Sequence, residues 1–398
     1  MPGFLFELLL LSLLFRKIYK IGKITKTSTL LAIAMGCLLI LVQVIIVQQY
    51  LELGSETPYL FNSDPELYFL SARTLASEGL SSIRVLGQYI YFGDLGLRHV
   101  SYVFVLAASI KSGASFYGLH LLNLYFLISA LSIFLSELGN IREKRIFTLL
   151  FLSTGSILSL SMILLKEPLL IWLIALLYRS IGKMKGLRTV PIYALIFLTR
   201  PASVIPFILL TNRFTKHRRL FRNTLSVSVV ILVAFAFDNS GYWNRLGYGE
   251  NAGGLIYAWS NLYSKFGAIL QILFIPFTSF LSILGPLDVF QGQQIFYRYF
   301  QSTLNIVWLL VYIPITLSVL QKHIFSKRKK LNAPLNLFVL NLIIVSIIFG
   351  GTMHRYIVPF IPILYVGILK SKFLTKVNTS ILLSSSVFIF IIAIYASR

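Results

Sequence analysis

A chain of 398 residues that is 57% hydrophobic and only 12% charged cannot cover a water-exposed surface of its own size, which excludes a soluble protein. Its net charge of +23 does not point to nucleic acid, because the basic residues form short clusters between apolar runs and line no single face. Cys37 is the single cysteine and lies in an apolar run, so neither an internal disulfide nor a cysteine metal site is available.

The composition predicts an all-α, polytopic transmembrane protein with one membrane-embedded domain over residues 1–398. Residues 1–15 are apolar apart from Glu7, short for a span and followed by no small-residue cleavage site. They read as an interfacial or partial helix, with 1–28 forming a cytoplasmic N-terminus. Ala34-Met35-Gly36-Cys37 faintly resembles a lipoprotein cleavage site, but the apolar run continues to Val47 and reads as an uncleaved helix. Arg16, Lys17, Lys20, Lys23 and Lys26 mark the cytoplasmic side, so the span at 29–49 runs outward and the loop 50–115 lies outside.

That loop gathers Glu52, Glu56, Asp64, Glu66, Glu78 and Asp94 out of 13 acidic residues. Residues 100–111 are apolar but too short to cross. Spans at 116–138, 146–164 and 168–181 follow, the last two forming a hairpin with Lys166-Glu167-Pro168 at its outer tip. Residues 189–211 are basic at both ends and broken by Thr199-Arg200-Pro201, which reads as two short arms with Arg200 at the turn. A span at 224–238 leads to a second outer region, 239–302, with a re-entrant or horizontal helix at 266–285. Spans at 303–321, 334–350, 357–370 and 378–396 complete about eleven crossings and leave the C-terminus outside.

All acidic residues except Glu7, Glu137 and Glu143 then lie outside. So do four unusual polar points at helix ends: Asp64/Glu66, Lys166/Glu167, Arg200 and His354/Arg355. Charges at membrane depth are costly unless they face a cavity or a partner. Carboxylates suit a general base or a metal ion, and Lys and Arg suit a phosphate. The mixture fits transfer of a group whose leaving group is a phosphate. Each point also has a plain structural reading. Asp64-Pro65 fits a helix start, Lys166-Glu167 a hairpin tip, Arg200-Pro201 an ion-paired kink, and His354-Arg355 a snorkelling anchor. Neither a His-Glu-x-x-His motif nor a Walker-type glycine loop occurs. The Tyr and Phe residues of 242–300 fit an interfacial belt, or stacking on sugar rings.

The order of motifs resembles the GT-C class of membrane glycosyltransferases, in particular the bacterial group similar to dolichyl-phosphate-mannose–protein mannosyltransferases. Asp64, Tyr68, Ala72 and Gly79 match the acidic motif of the first outer loop, with Glu66 as a second carboxylate. Tyr102 to Gly113 and Asn123, Glu167-Pro168, Leu198-Thr199-Arg200-Pro201, and Arg355-Tyr356 with Pro359 and Pro362 match later elements. Val103 stands where the family has Pro, and Lys166-Glu167 stands where Asp is commoner. The chain is also short for the family, without a large soluble C-terminal domain.

The resemblance implies a GT-C-like fold in a bacterial inner membrane and sugar transfer from a polyprenyl-phosphate-linked donor to a glycan, lipid or protein acceptor, with a divalent cation as an open cofactor. It implies Asp64 as general base and Glu66 or Glu167 orienting the acceptor or a metal. Lys166, Arg200 and Arg355 would bind the lipid phosphate, with Tyr68, His354 and Tyr356 beside them. The alternatives are a polymerase of lipid-linked oligosaccharide repeats and a non-enzymatic lipid or polysaccharide transporter.

Overall fold

A computed structural model describes residues 2–52, 63–79, 99–181, 186–214, 315–316, 319–320, 333–349 and 354–370. The expected spans at 224–238, 303–321 and 378–396, the region 239–302 and the C-terminus lie outside or almost wholly outside these residues. Among the described residues the fold is helical and contains no strand.

The helices are α1 (Pro2–Ile24), α2 (Lys26–Glu52), α3 (Ser63–Glu78), α4 (Val100–Lys111), α5 (Phe116–Ser136), α6 (Ile141–Ser153), α7 (Gly155–Met162) and α8 (Glu167–Ile181). They continue with α9 (Gly186–Thr199), a 3-10 turn (Pro201–Val204), α10 (Ile205–Phe214) and α11 (Ala333–Phe349). The last are the short α12 (His354–Ile357), a 3-10 turn (Val358–Phe360) and α13 (Ile361–Lys370). Two of these are long and apolar enough to cross a membrane, α2 over Lys26–Ile45 and α5. The α6–α7 pair qualifies as a third if taken as one span bent by 61°. Thr154 makes that bend: its backbone is extended, and its hydroxyl bonds back to the Leu150 carbonyl at 2.6 Å and to the Tyr365 hydroxyl at 2.6 Å.

Helix directions follow from residue pairs. Thr148 donates to Ser28 at 2.8 Å and Gln43 to the Ser161 carbonyl at 3.2 Å, so α2 runs the same way as α6–α7. Phe126 stacks on Trp172 at 5.2 Å and Arg179 lies 3.7 Å from Glu137, so α5 and α8 run together in one direction. α13 runs back along this core, with Lys370 over Tyr178. It approaches α11 so closely that a Cβ at Gly367 would lie 2.8 Å from Leu335. One end of the bundle therefore carries Glu137, Arg142, Lys144, Arg179 and Lys370. The other carries the 163–167 segment, Arg200 and Arg355. Between helices in lipid, packing and polar contacts of this kind hold the bundle, since burial from water contributes little.

The N-terminal helix is longer than the apolar piece at residues 1–15. Residues 2–24 form one helix that lies along α5, burying Leu10, Leu14, Ile18 and Ile21. Glu7 accepts a hydrogen bond from Ser115, and Lys17 lies 5.9 Å over the Tyr125 ring. α1 therefore runs parallel to α5.

Candidate functional site

The site is built on a break in the chain. α7 stops at Met162, and Ile163 takes an extended backbone. The carbonyls of a helix end and of the strand-like stretch beyond it need donors. Asn123, fully buried in α5, supplies them: its amide donates to the carbonyls of Ile163 at 3.0 Å and Leu165 at 3.4 Å. Tyr102 of α4 donates to the Asn123 oxygen at 3.1 Å. Asn123→Leu keeps the branching and the number of side-chain heavy atoms but removes the donor shared by these carbonyls. It is expected to lower stability by about 1–2 kcal/mol, read as a drop in the melting temperature of the detergent-purified protein. An unchanged melting temperature would contradict this role for the amide.

Held this way, Lys166 and Glu167 open α8, with Pro168 in its first turn, where proline loses no hydrogen bond and a carboxylate meets the positive helix end. Glu167 is fully buried. Its Oε1 accepts from Arg200 Nη2 at 2.5 Å and from Arg355 Nε at 2.6 Å, and its Oε2 lies 3.4 Å from Arg355 Nη2. Burial pushes the Glu167 carboxyl up, but the Arg355 and Arg200 guanidiniums outweigh it and hold the group well below the usual carboxylate range. At the hairpin tip, then, Glu167 is a brace between two arginines.

Arg200 reaches this brace because Pro201 ends α9 and starts the 3-10 turn, leaving Arg200 extended at the corner. Ser101 and Thr199 share a 2.5 Å hydroxyl contact that ties the corner to α4. Arg200 also donates to the Arg355 carbonyl at 3.1 Å and lies 4.3 Å over the Tyr356 ring. Its Nε is buried without a hydrogen-bond partner among the described residues. The side chain of Arg355 is 31% exposed, against 3% for Arg200, so Arg355 is the more open of the two guanidiniums.

Beside the brace, Lys166 Nζ lies 2.9 Å from His99 Nδ1, and the Tyr68 hydroxyl lies 2.7 Å from the same nitrogen. Tyr68 packs edge-on to Tyr102 at 5.5 Å, which closes the cluster back onto Asn123. Tyr68, Lys166, Glu167, Arg200, Arg355 and Tyr356 thus form one contiguous group. Asp64 lies on α3 one turn before Tyr68, at the i, i+4 register that shares a helix face. The side chains of Asp64, Glu66 and His354 lie outside the described residues.

His99 is the residue that sequence reasoning passed over. Its signal was modest: a histidine on the last residue before a short apolar helix, beside an arginine. Among the described residues no three His, Cys, Asp or Glu side chains gather as a metal would need, and both Glu167 oxygens are engaged by arginine. No family model matches this sequence, and neither a curated protein nor a solved structure matches it.

Proposed function

We propose that this protein is a glycosyltransferase that moves a sugar from a polyprenyl-phosphate-linked donor to an acceptor hydroxyl at the outer face of a bacterial inner membrane, in cell-envelope glycan assembly. The observation that supports this reading is that Arg200 and Arg355 share the single carboxylate of Glu167, with Lys166 beside them and bonded to His99. In this reading Asp64 takes the proton of the acceptor hydroxyl as its oxygen bonds to the sugar's anomeric carbon. The bond from that carbon to the phosphate oxygen breaks, and the electron pair leaves on the phosphate. Fixed guanidinium and ammonium groups stabilise that growing charge without reorganising. Glu167 keeps the two guanidiniums in place, and Tyr356 lies against the Arg200 plane. His99 and Tyr68 set the position of Lys166.

The test is binding and transfer by the full chain in nanodiscs of zwitterionic lipid. A short-chain polyprenyl monophosphate should bind at least about tenfold more tightly than the matching alcohol, the worth of one charge-assisted hydrogen bond. Arg355→Gln should remove most of that preference. Equal binding of phosphate and alcohol would overturn the reading. Turnover of diphosphate-linked oligosaccharide repeats, with none of monophosphate-linked sugar, would replace it with the polymerase.

A further inference from the structure

We infer that α1 crosses the membrane from the outer side, so that the N-terminus of the chain is extracytoplasmic and α1–α2 is a transmembrane hairpin closed at Thr25. The first observation is direction. Ser115 Oγ donates to Glu7 at the N-cap of α5, and Lys17 lies over Tyr125 further along the same helix. α1 therefore descends α5 from its N-terminal end, and α5 is long and apolar enough to cross. The contact at that end is specific, since a Cβ at Gly118 would lie 3.3 Å from Glu7 Cγ.

The second observation is where the hairpin closes. α2 begins at Lys26, and its Ser28 meets Thr148, one turn beyond Lys144 and Arg145. Lys23 and Lys26 thus fall at the same end of the bundle as the basic start of α6, and Arg16, Lys17 and Lys20 lie on the turns of α1 that lead to it. One cytoplasmic side then satisfies the positive-inside rule for both groups. The third is length: the 23 residues of α1 rise about 34 Å, against a hydrocarbon core of about 30 Å, although the basic residues from Arg16 on keep α1 from the apolarity that α2 and α5 reach.

The fourth is the surface. Phe4, Leu5, Leu8, Leu9 and Phe15 are exposed on α1, and Glu7 is the one charge on the helix before Arg16. Leu30, Leu38 and Leu41 are likewise exposed on α2, and both sets suit lipid acyl chains. Glu7 is the charge that argues against a span. Its contact with Ser115 and the first turn of α5 places it at the outer rim, where the positive end of that helix favours a carboxylate. The cytoplasmic acidic residues are then Glu137 and Glu143 alone among those in described helices and caps.

A protease-cleavable peptide tag placed before Met1 of the full chain, expressed in bacterial spheroplasts, tests the orientation. Added protease should remove at least about nine-tenths of the tag without lysis, as expected for an outer-face segment. Cleavage only after lysis would overturn the inference. Glu7→Cys with Ser115→Cys, in a Cys37→Ser background, tests the pairing separately. Oxidative cross-linking together with tag cleavage supports the hairpin, and absence of the cross-link in folded protein contradicts it. Neither result depends on the sugar-transfer reading.

Discussion

Asp64→Asn is expected to lower sugar transfer by at least about a hundredfold, the contribution of a positioned general base, while the amount of folded protein in the membrane stays the same. The substitution removes a charge and one proton-accepting atom but leaves the shape of the side chain. An N-terminal helix position accepts Asn nearly as well as Asp, so a capping role would survive the change. A general base would not survive it. Asp64 stands at the start of α3, one turn from Tyr68, whose hydroxyl contacts His99 and through it Lys166. Transfer from a purified polyprenyl-phosphate sugar, followed by release of the lipid phosphate, is the measurement. Full activity in Asp64→Asn would remove Asp64 from the chemistry.

Glu167→Gln is expected to cost about 3–5 kcal/mol of stability, because it leaves two guanidiniums facing each other in a buried site with no counter-charge. The double variant Glu167→Gln with Arg355→Gln should recover part of that loss, since the second change removes one of the stranded charges. Melting temperature and yield of folded protein read both. Equal stability of Glu167→Gln and the parent would mean that the brace carries little of the fold. Acid should act in the same direction. The Glu167 carboxyl is depressed from 4.5 to about 2 in the folded protein. Its contribution is therefore complete above about pH 4.5 and is lost as pH falls toward its folded value.

The helical fold and the helices able to cross a membrane were legible because long apolar runs depend on few long-range contacts. α2, α5 and α8 stand where apolar runs predicted them, and the Thr199-Arg200-Pro201 break falls between α9 and the 3-10 turn. Breaks of that kind are local chemistry, visible in a proline and its neighbour. The motif Tyr102 to Asn123 was visible as a pattern, but not as the hydrogen bond that joins its ends, which needs α4 folded against α5. Glu167 was legible as a charge at a hairpin tip and illegible as a brace, because its partners lie 33 and 188 residues away in sequence. The packing of α1 along α5 was illegible for a related reason. Glu7 and the basic residues shorten its apolar run, and only the partner at Ser115 shows where Glu7 is accommodated. His99 carried no spacing that could single it out.

In the proposed reading, the cluster formed by Lys166, Arg200 and Arg355 receives the phosphate of a polyprenyl lipid within reach of Asp64. A cryo-electron microscopy structure of the full chain with a polyprenyl-phosphate analogue tests it most directly. The account predicts the phosphate oxygens within hydrogen-bonding distance of the Arg355 guanidinium and of at least one of Lys166 and Arg200, with the Asp64 carboxylate facing the same space. A phosphate bound elsewhere on the chain, with these cations turned only toward Glu167 and His99, would contradict it.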